Sequence, residues 1–140
     1  MFSPADHALD LSSRLQLGQL VQSPMQLGTW AVLEPAGPQN HAPQLCWLSP
    51  DHLGCVWMAG GQEGTAGMGI VLSTLRRGGR RWSRPRLISQ DDERSEQNPL
   101  LFVSKTETGT NRLQLIHTAQ QVRKPSDQPI DGSAFSMQWT

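Results

Sequence analysis

The sequence predicts an all-β protein made of four-stranded antiparallel units, of which this chain holds about one and a half. Three features predict it: apolar runs of strand length, turn residues between those runs, and a second series of the same kind that begins near residue 97. Strands that are apolar on both faces are typical of a β-propeller blade, which its neighbours cover on either side. We therefore expect a truncated β-propeller, because a closed ring needs more blades.

The first predicted blade, about residues 41–90, contains four short strands. They span residues 44–48, 53–58, 68–73 and 86–88. A turn at Pro50-Asp51 makes the first two a hairpin, and a stretch rich in Gly and Arg precedes the fourth. The spacing predicts a meander.

The second predicted blade, about residues 97–140, is incomplete. Its strands span 99–103, 112–117 and 135–140, so we expect the chain to end within a strand. Residues 1–29 are expected to form an N-terminal arm, and residues 30–140 the partial propeller domain. Leucines recur through the arm, and its pattern fits a short helix or an extended segment equally well.

Composition excludes several functional classes. The 140 residues include 13 Gly and 10 Pro, and the formal net charge is zero. We therefore expect no nucleic-acid partner and no membrane partner. The sequence shows neither the apolar core of a signal peptide nor a membrane-spanning run, which predicts a cytoplasmic protein. Open blade edges make self-association through those edges an expected property.

One basic patch interrupts this neutral background. Six arginines lie between positions 76 and 86. Such a run is typical of a solvated turn at the rim of a blade, and contact with phosphate or nucleic acid is the alternative. No aromatic residues are interleaved at stacking intervals, which weakens the alternative.

The two cysteines are equidistant from the predicted hairpin turn. Cys46 and Cys55 are therefore expected to lie opposite each other on adjacent strands. Without a secretory signal, two reduced thiols are favoured over a disulfide. The histidines show no ligand spacing with each other or with the cysteines, so we expect neither a metal site nor a cofactor.

Six short motifs in order resemble the sialidase-like proteins that carry BNR, or Asp-box, repeats. They are His41-Ala42-Pro43, the hairpin, Gly60-Gly61-Gln62-Glu63-Gly64, Gly69 to Ser73, Gly79-x-x-Trp82-Ser83-x-Pro85 and Asn98 to Phe102. The resemblance covers about residues 30–140. It implies a six-bladed propeller and exo-acting glycoside hydrolysis of a glycan or small glycoside substrate.

The Asp-box of that family is a structural turn with the pattern Ser-x-Asp-x-Gly-x-x-Trp. Here Gly79 and Trp82 fit the pattern, while Leu75 and Arg77 replace the Ser and the Asp. The degenerate box supports the propeller fold that the resemblance implies, and it carries no information on catalysis.

The resemblance also implies candidate site residues. His41 stands where sialidases have an Arg that grips the substrate carboxylate, and imidazole is not equivalent to a bidentate guanidinium. His41 and Asn40 are nevertheless candidate sugar contacts, or else polar loop residues. Asn98 is a further candidate contact, or else part of a strand start at which Pro99 is tolerated.

Glu63 is the candidate catalytic residue. It lies in a Gly-rich loop between the second and third strands, from which related propellers deliver an acid/base carboxylate to the central funnel. Glycines on both sides allow close approach of the backbone to a ligand. The alternative is a solvated loop carboxylate.

Sialidases use a Tyr nucleophile, and this chain contains no Tyr. We therefore expect an N-terminal fragment of a sialidase-like glycoside hydrolase that is inactive alone. A non-catalytic carbohydrate-binding or scaffold propeller fragment is the alternative. A third possibility is a small β domain that closes by oligomerising.

Overall fold

The computed structural model describes residues 16–22, 28–121 and 135–139. These residues form nine strands and no α-helix, in three antiparallel sheets. A two-stranded sheet contains β1 (Val21–Gln22) and β2 (Thr29–Trp30). The first large sheet contains β3 (Gln39–Ser49), β4 (His52–Gly60), β5 (Gly69–Arg76) and β6 (Arg86–Ser89), and the second contains β7 (Arg94–Lys105), β8 (Asn111–Gln121) and β9 (Phe135–Trp139). The predicted all-β architecture, consistent with part of a propeller, is confirmed.

The strands of both large sheets follow chain order, which gives the molecule two distinct rims. The upper rim carries the β4–β5 loop (residues 61–68), the β6–β7 connection (residues 90–93) and the first residues of β3 and β7. The lower rim carries the β3–β4 turn, the β5–β6 connection (residues 77–85) and the β7–β8 turn. Each rim therefore brings together loops of both large sheets, so a functional site at either rim can use residues from both.

The main core lies between the two large sheets. Side chains of β4, β5 and the adjoining loop pack against Leu101 and Leu115 of the second sheet; they are Val56, Met58, Met68, Ile70 and Leu72. A polar clamp supports this contact, because the Gln44 amide accepts a hydrogen bond from the Leu101 N–H at 2.8 Å and donates one to its carbonyl at 3.1 Å. The two sheets therefore pack face to face as adjacent blades do.

The predicted position of Asn98 in its strand was wrong. β7 begins at Arg94, four residues earlier, and Asn98 lies inside the strand at a break in its register with β8. Proline is tolerated at a bulge because no ladder hydrogen bond is needed there. The other predicted strands of the large sheets are present, several with longer bounds.

The predicted pairing of the cysteines was also wrong. Cys55 faces Leu45, and Cys46 faces Gly54. The register shifts between Trp47 and Ser49, and a one-residue slip moves a side chain to the opposite face of the sheet. Both thiols are free, and burial raises the pKa of Cys55.

The other face of the first sheet is covered in part by the segment that precedes β3 and by the β5–β6 connection. Cys55, Trp57, Ala59 and Val71 form a second core cluster, against which Leu33 and Trp82 pack. A groove of about 670 Å³ remains open beside it, with Trp30, Leu45, Leu53 and Leu75 among its lining residues. Within the described ranges, no helix is both long and apolar enough to cross a membrane.

Candidate functional site

The first strands of the two large sheets share an unusual backbone feature near the upper rim. Ala42 has φ 50° and Asn98 has φ 52°, and they are the two non-glycine residues with positive φ in the described part of the chain. Each precedes a proline and lies at a break in register. Backbone strain of this kind occurs preferentially where a protein places functional groups, and a bulge redirects the side chains beside it.

Glu63 lies on the β4–β5 loop, as predicted, and the backbone of this loop donates hydrogen bonds to both strained strands, β3 and β7. The Glu63 N–H donates to the Gln39 Oε1 of β3 at 2.7 Å, and the Gly64 N–H donates to the Ser95 Oγ of β7 at 3.2 Å. Turn hydrogen bonds from Thr65 and Met68 close the loop on itself. The loop is held by its backbone, so the exposed Glu63 carboxylate is left facing solvent at the rim.

Asn40 and His41 lie in a groove of about 270 Å³ whose wall includes Trp57 and the segment 33–35. The Asn40 Oδ1 accepts hydrogen bonds from the Trp57 Nε1 and the Ala36 N–H, both at 3.0 Å, and its amide donates to the Gly37 carbonyl at 2.8 Å. Asn40 therefore fixes the wall of the groove. His41 is exposed, next to the strained Ala42.

Gln39, which precedes Asn40 in β3, holds the Glu63 loop, while Asn40 and His41 line the groove beside Trp57, which Glu63 does not line. Asn98 is exposed on the neighbouring strand, at the second bulge. No contact joins its side chain to the other three candidates among the hydrogen bonds of the described residues.

Sequence reasoning missed a glutamine at this rim. Gln97 stands two residues before Pro99, as His41 stands two residues before Pro43, and so occupies the matching place in the second bulge. Its amide donates to the Ser95 Oγ at 3.0 Å and to the Gln120 Oε1 at 3.1 Å. Alignment of the two proline-containing bulges would have identified Gln97 from the sequence.

The upper rim is acidic where the structure describes it. Asp92 and Glu93 are exposed beside Glu63's loop, and Asp91 pairs with Arg94 at 2.6 Å. The backbone N–H of Glu93, together with Arg94, lowers the pKa of Asp91 below its ordinary value. Arg94 is thus already engaged with a carboxylate, and the rim is poorly suited to an anionic ligand.

A buried carboxylate and imidazole lie below this rim. Glu96 and His117 are 2% and 1% exposed, with the Glu96 Oε1 3.8 Å from the His117 Nε2. The Ser89 hydroxyl donates to the Glu96 Oε1 at 2.9 Å, and the Glu96 N–H donates to the Met68 carbonyl at 3.1 Å. Since Ser89 and Met68 belong to the first sheet and its loops, Glu96 connects the two sheets.

The cysteines, histidines and acids of the described ranges form no group of three or more that could hold a metal ion. The candidate residues of this rim are hydrogen-bonding groups and the exposed carboxylate of Glu63, with Asp92 and Glu93 exposed on the same rim. Such a set can bind hydroxyl-rich molecules and can exchange a proton.

The meander sheets, packed face to face with strained first strands at one rim, define a propeller-like repeat protein. The family model that matches the chain is the BNR repeat-like domain, over residues 51–131. This chain belongs to that family. No curated protein and no solved structure matches it.

Proposed function

We propose that this chain carries part of the sugar-binding rim of a sialidase-like glycoside hydrolase, and that alone it binds glycan without cleaving it. The paired bulges at Ala42 and Asn98 carry the proposal, because they redirect two adjacent first strands beside the Glu63 loop. In this reading His41, Asn40 and Asn98 contact or frame the sugar, and Glu63 exchanges the proton.

The electrostatics of the rim favour a neutral sugar over sialic acid. A sialic acid carboxylate is best gripped by bidentate arginines. The described upper rim supplies Arg94, which pairs with Asp91, and exposes Glu63, Asp92 and Glu93. Amide and imidazole groups are suited to sugar hydroxyls, which both donate and accept hydrogen bonds.

A binding experiment tests the site. Titration of the purified chain with neutral monosaccharides, followed by NMR, is expected to show a Kd of about 1 mM, typical of a ligand of this size. His41→Ala and Asn98→Ala should each weaken binding about tenfold. Thr108→Ala at the lower rim is the matched control and should leave Kd unchanged. Equal binding by all variants would refute the site.

Hydrolysis is tested separately. We expect the chain to release no fluorophore from an aryl sialoside or an aryl hexoside, since the Tyr nucleophile of sialidases is absent. In a longer polypeptide that contains this chain and cleaves a glycoside, Glu63→Gln should lower kcat by roughly a hundredfold. Its sugar affinity should not change. Turnover by the isolated chain above a denatured control would contradict the proposal.

A non-catalytic glycan-binding propeller is the second candidate. It is favoured by the contacts of the Glu63 segment, which run through backbone N–H groups and leave the carboxylate in solvent. Full activity of Glu63→Gln in a cleaving polypeptide would refute only the catalytic role of Glu63. Glycan binding without cleavage by a longer polypeptide that contains this chain would select the second candidate.

A further inference from the structure

The lower rim carries a charge feature that the upper-rim site does not use. Residues 76–86 contain six arginines and no acidic residue. These six are half of the chain's twelve Lys and Arg residues. All six are exposed. We call residues 76–86 the arginine turn.

Hydrogen bonds to two neighbouring segments, residues 50–51 and residues 18–20, hold the arginine turn in place. The Arg77 N–H donates to the Asp51 carbonyl and its Nε to the Pro50 carbonyl, both at 2.7 Å. Further along, the Arg80 carbonyl accepts from the Leu20 N–H at 2.9 Å, and the Trp82 N–H donates to the Gly18 carbonyl at 2.8 Å. The backbone is therefore ordered before any ligand binds, which lowers the entropic cost of binding.

Arg77 occupies the place of the Asp-box aspartate, and its side chain donates to the Pro50 carbonyl of the β3–β4 turn, whereas an ionised carboxylate could only accept. Its guanidinium lies over the Trp47 ring, 4.9 Å from the centroid, in a cation–π contact. The degenerate box thus retains an ordered turn while it changes the sign of the charge at that turn.

A groove of about 490 Å³ opens within this surface. It is lined by Glu34, residues 17–18 and residues 81–84. The Arg84 Nε is 3.5 Å from the Glu34 carboxylate, and the Arg84 side chain is 89% exposed. The volume is in the range of pockets that accept one small ligand unit, and exposed guanidinium groups flank it for anionic substituents.

We propose that the arginine turn binds an anionic polysaccharide, one that carries sulfate or carboxylate groups along the chain. Charge complementarity supports this partner, because all six arginines are exposed on an ordered backbone and one of them, Arg84, pairs with an acid, Glu34. The acidic upper rim repels the same polymer, so it would dock at the lower rim and leave the upper rim open.

The tryptophans of this surface favour a polysaccharide over a nucleic acid. Single-stranded nucleic acids gain affinity from bases that stack on free aromatic faces. Here Arg77 lies over Trp47, and Trp82 packs against the core cluster of Cys55, Trp57, Ala59 and Val71. One face of the half-exposed Trp47 ring is therefore already taken by Arg77 and Trp82 is partly buried, so the arginine turn offers more charge than free aromatic surface.

The proposal is tested with dextran sulfate as the anionic probe and unsulfated dextran as the neutral one. Calorimetric titration of the whole chain should show binding of dextran sulfate that weakens steeply as salt rises, and no binding of dextran. Arg76→Gln, Arg80→Gln and Arg84→Gln combined should weaken binding at least tenfold, since three charge contacts are lost. These positions avoid Arg77 and Arg81, whose side chains donate hydrogen bonds within the fold; the Arg84 pair with Glu34 is solvent-exposed, so its loss should cost little stability.

Arg112→Gln is the matched control, because Arg112 is an exposed arginine of the second sheet. The affinity of the Arg112→Gln variant for dextran sulfate should stay within about twofold of that of the unaltered chain. Three results would overturn the proposal. They are no binding of dextran sulfate at low salt, an equal loss of affinity in Arg112→Gln and the triple variant, or tighter binding of a DNA duplex than of dextran sulfate. Salt-sensitive self-association that the triple substitution abolishes would instead identify a second copy as the partner, and would also overturn it.

Discussion

Ala42 shows what a single residue contributes to the upper rim. Its left-handed backbone, at φ 50°, is one that alanine adopts at a cost of about 1 kcal/mol, and Pro43 follows it directly. Asn98 has the same conformation at a lower cost, because the short polar side chain of asparagine is better tolerated there. The rim therefore holds strain in β3 that a glycine would release.

We expect Ala42→Gly to stabilise the chain by about 0.5 kcal/mol. The relief of about 1 kcal/mol is partly offset by the greater entropy that glycine has in the unfolded chain. Urea unfolding followed by circular dichroism measures the change. Ala36→Gly is the control, because Ala36 is exposed and has no positive φ, so glycine there should only destabilise. Equal destabilisation by both substitutions would show that Ala42 is unstrained.

Glu96 is a single buried residue that joins the two large sheets. We expect Glu96→Ala to destabilise the chain by about 3 kcal/mol, because it leaves Ser89 without its acceptor and His117 without its polar neighbour. Glu96→Gln keeps an acceptor for Ser89 and should cost less. The free energy of unfolding in urea measures both.

The control for Glu96 is Glu107→Ala, at an exposed position in the β7–β8 turn. It should change the free energy of unfolding by less than about 0.5 kcal/mol. If Glu96→Ala cost no more than this control, the buried pair would not stabilise the contact between the sheets.

At the scale of elements, the β6–β7 connection depends on one carboxylate. The Asp91 Oδ1 accepts from the Glu93 and Arg94 N–H groups at 2.8 and 3.0 Å, and its Oδ2 accepts from the Arg94 Nε at 2.7 Å. These contacts lower the pKa of Asp91 from its ordinary value of 3.8. They also fix the point at which the chain enters the second sheet.

This lowered pKa predicts the direction of a pH effect. A carboxyl whose pKa is lower in the folded chain stabilises it above the ordinary value, and the contribution is lost as pH falls through the folded value. The midpoint temperature of thermal unfolding, measured between pH 7 and pH 2, should therefore fall below about pH 4. The fall should be smaller in Asp91→Asn and unchanged in the exposed control Asp92→Asn. Identical profiles for all three proteins would refute this role.

At the scale of the whole molecule, the first sheet leaves apolar surface uncovered. Leu45 and Trp47 are 61% and 51% exposed on β3, and the 670 Å³ groove adjoins them. In the second sheet, β7 is an edge among the described strands. Exposed apolar surface and open edges favour association with further strands or copies.

We expect the purified chain to self-associate as its concentration rises, as measured by light scattering after size exclusion. Leu45→Glu should reduce association, because a charge in the groove opposes its burial. Leu113→Glu, at an exposed leucine outside this groove, is the control. A monodisperse monomer with one cooperative thermal transition would show that the uncovered surface does not drive association.

The sequence by itself determined the strand order, the hairpin at Pro50-Asp51 and the loop that carries Glu63. These features depend on apolar runs and on turn residues that act over a few neighbouring positions. It also located the arginine turn, because charge composition can be read without coordinates. Local patterns were sufficient for all of these.

Only the tertiary structure decided which side chains meet. Register shifts in β3 and β7 separated Cys46 from Cys55 and placed Asn98 inside a strand. The clamp of Gln44 on Leu101 and the pairing of Glu96 with His117 join residues that the sequence pattern gives no reason to connect. A shift of one residue reverses the face on which a side chain lies, and packing between the two sheets selects among such registers.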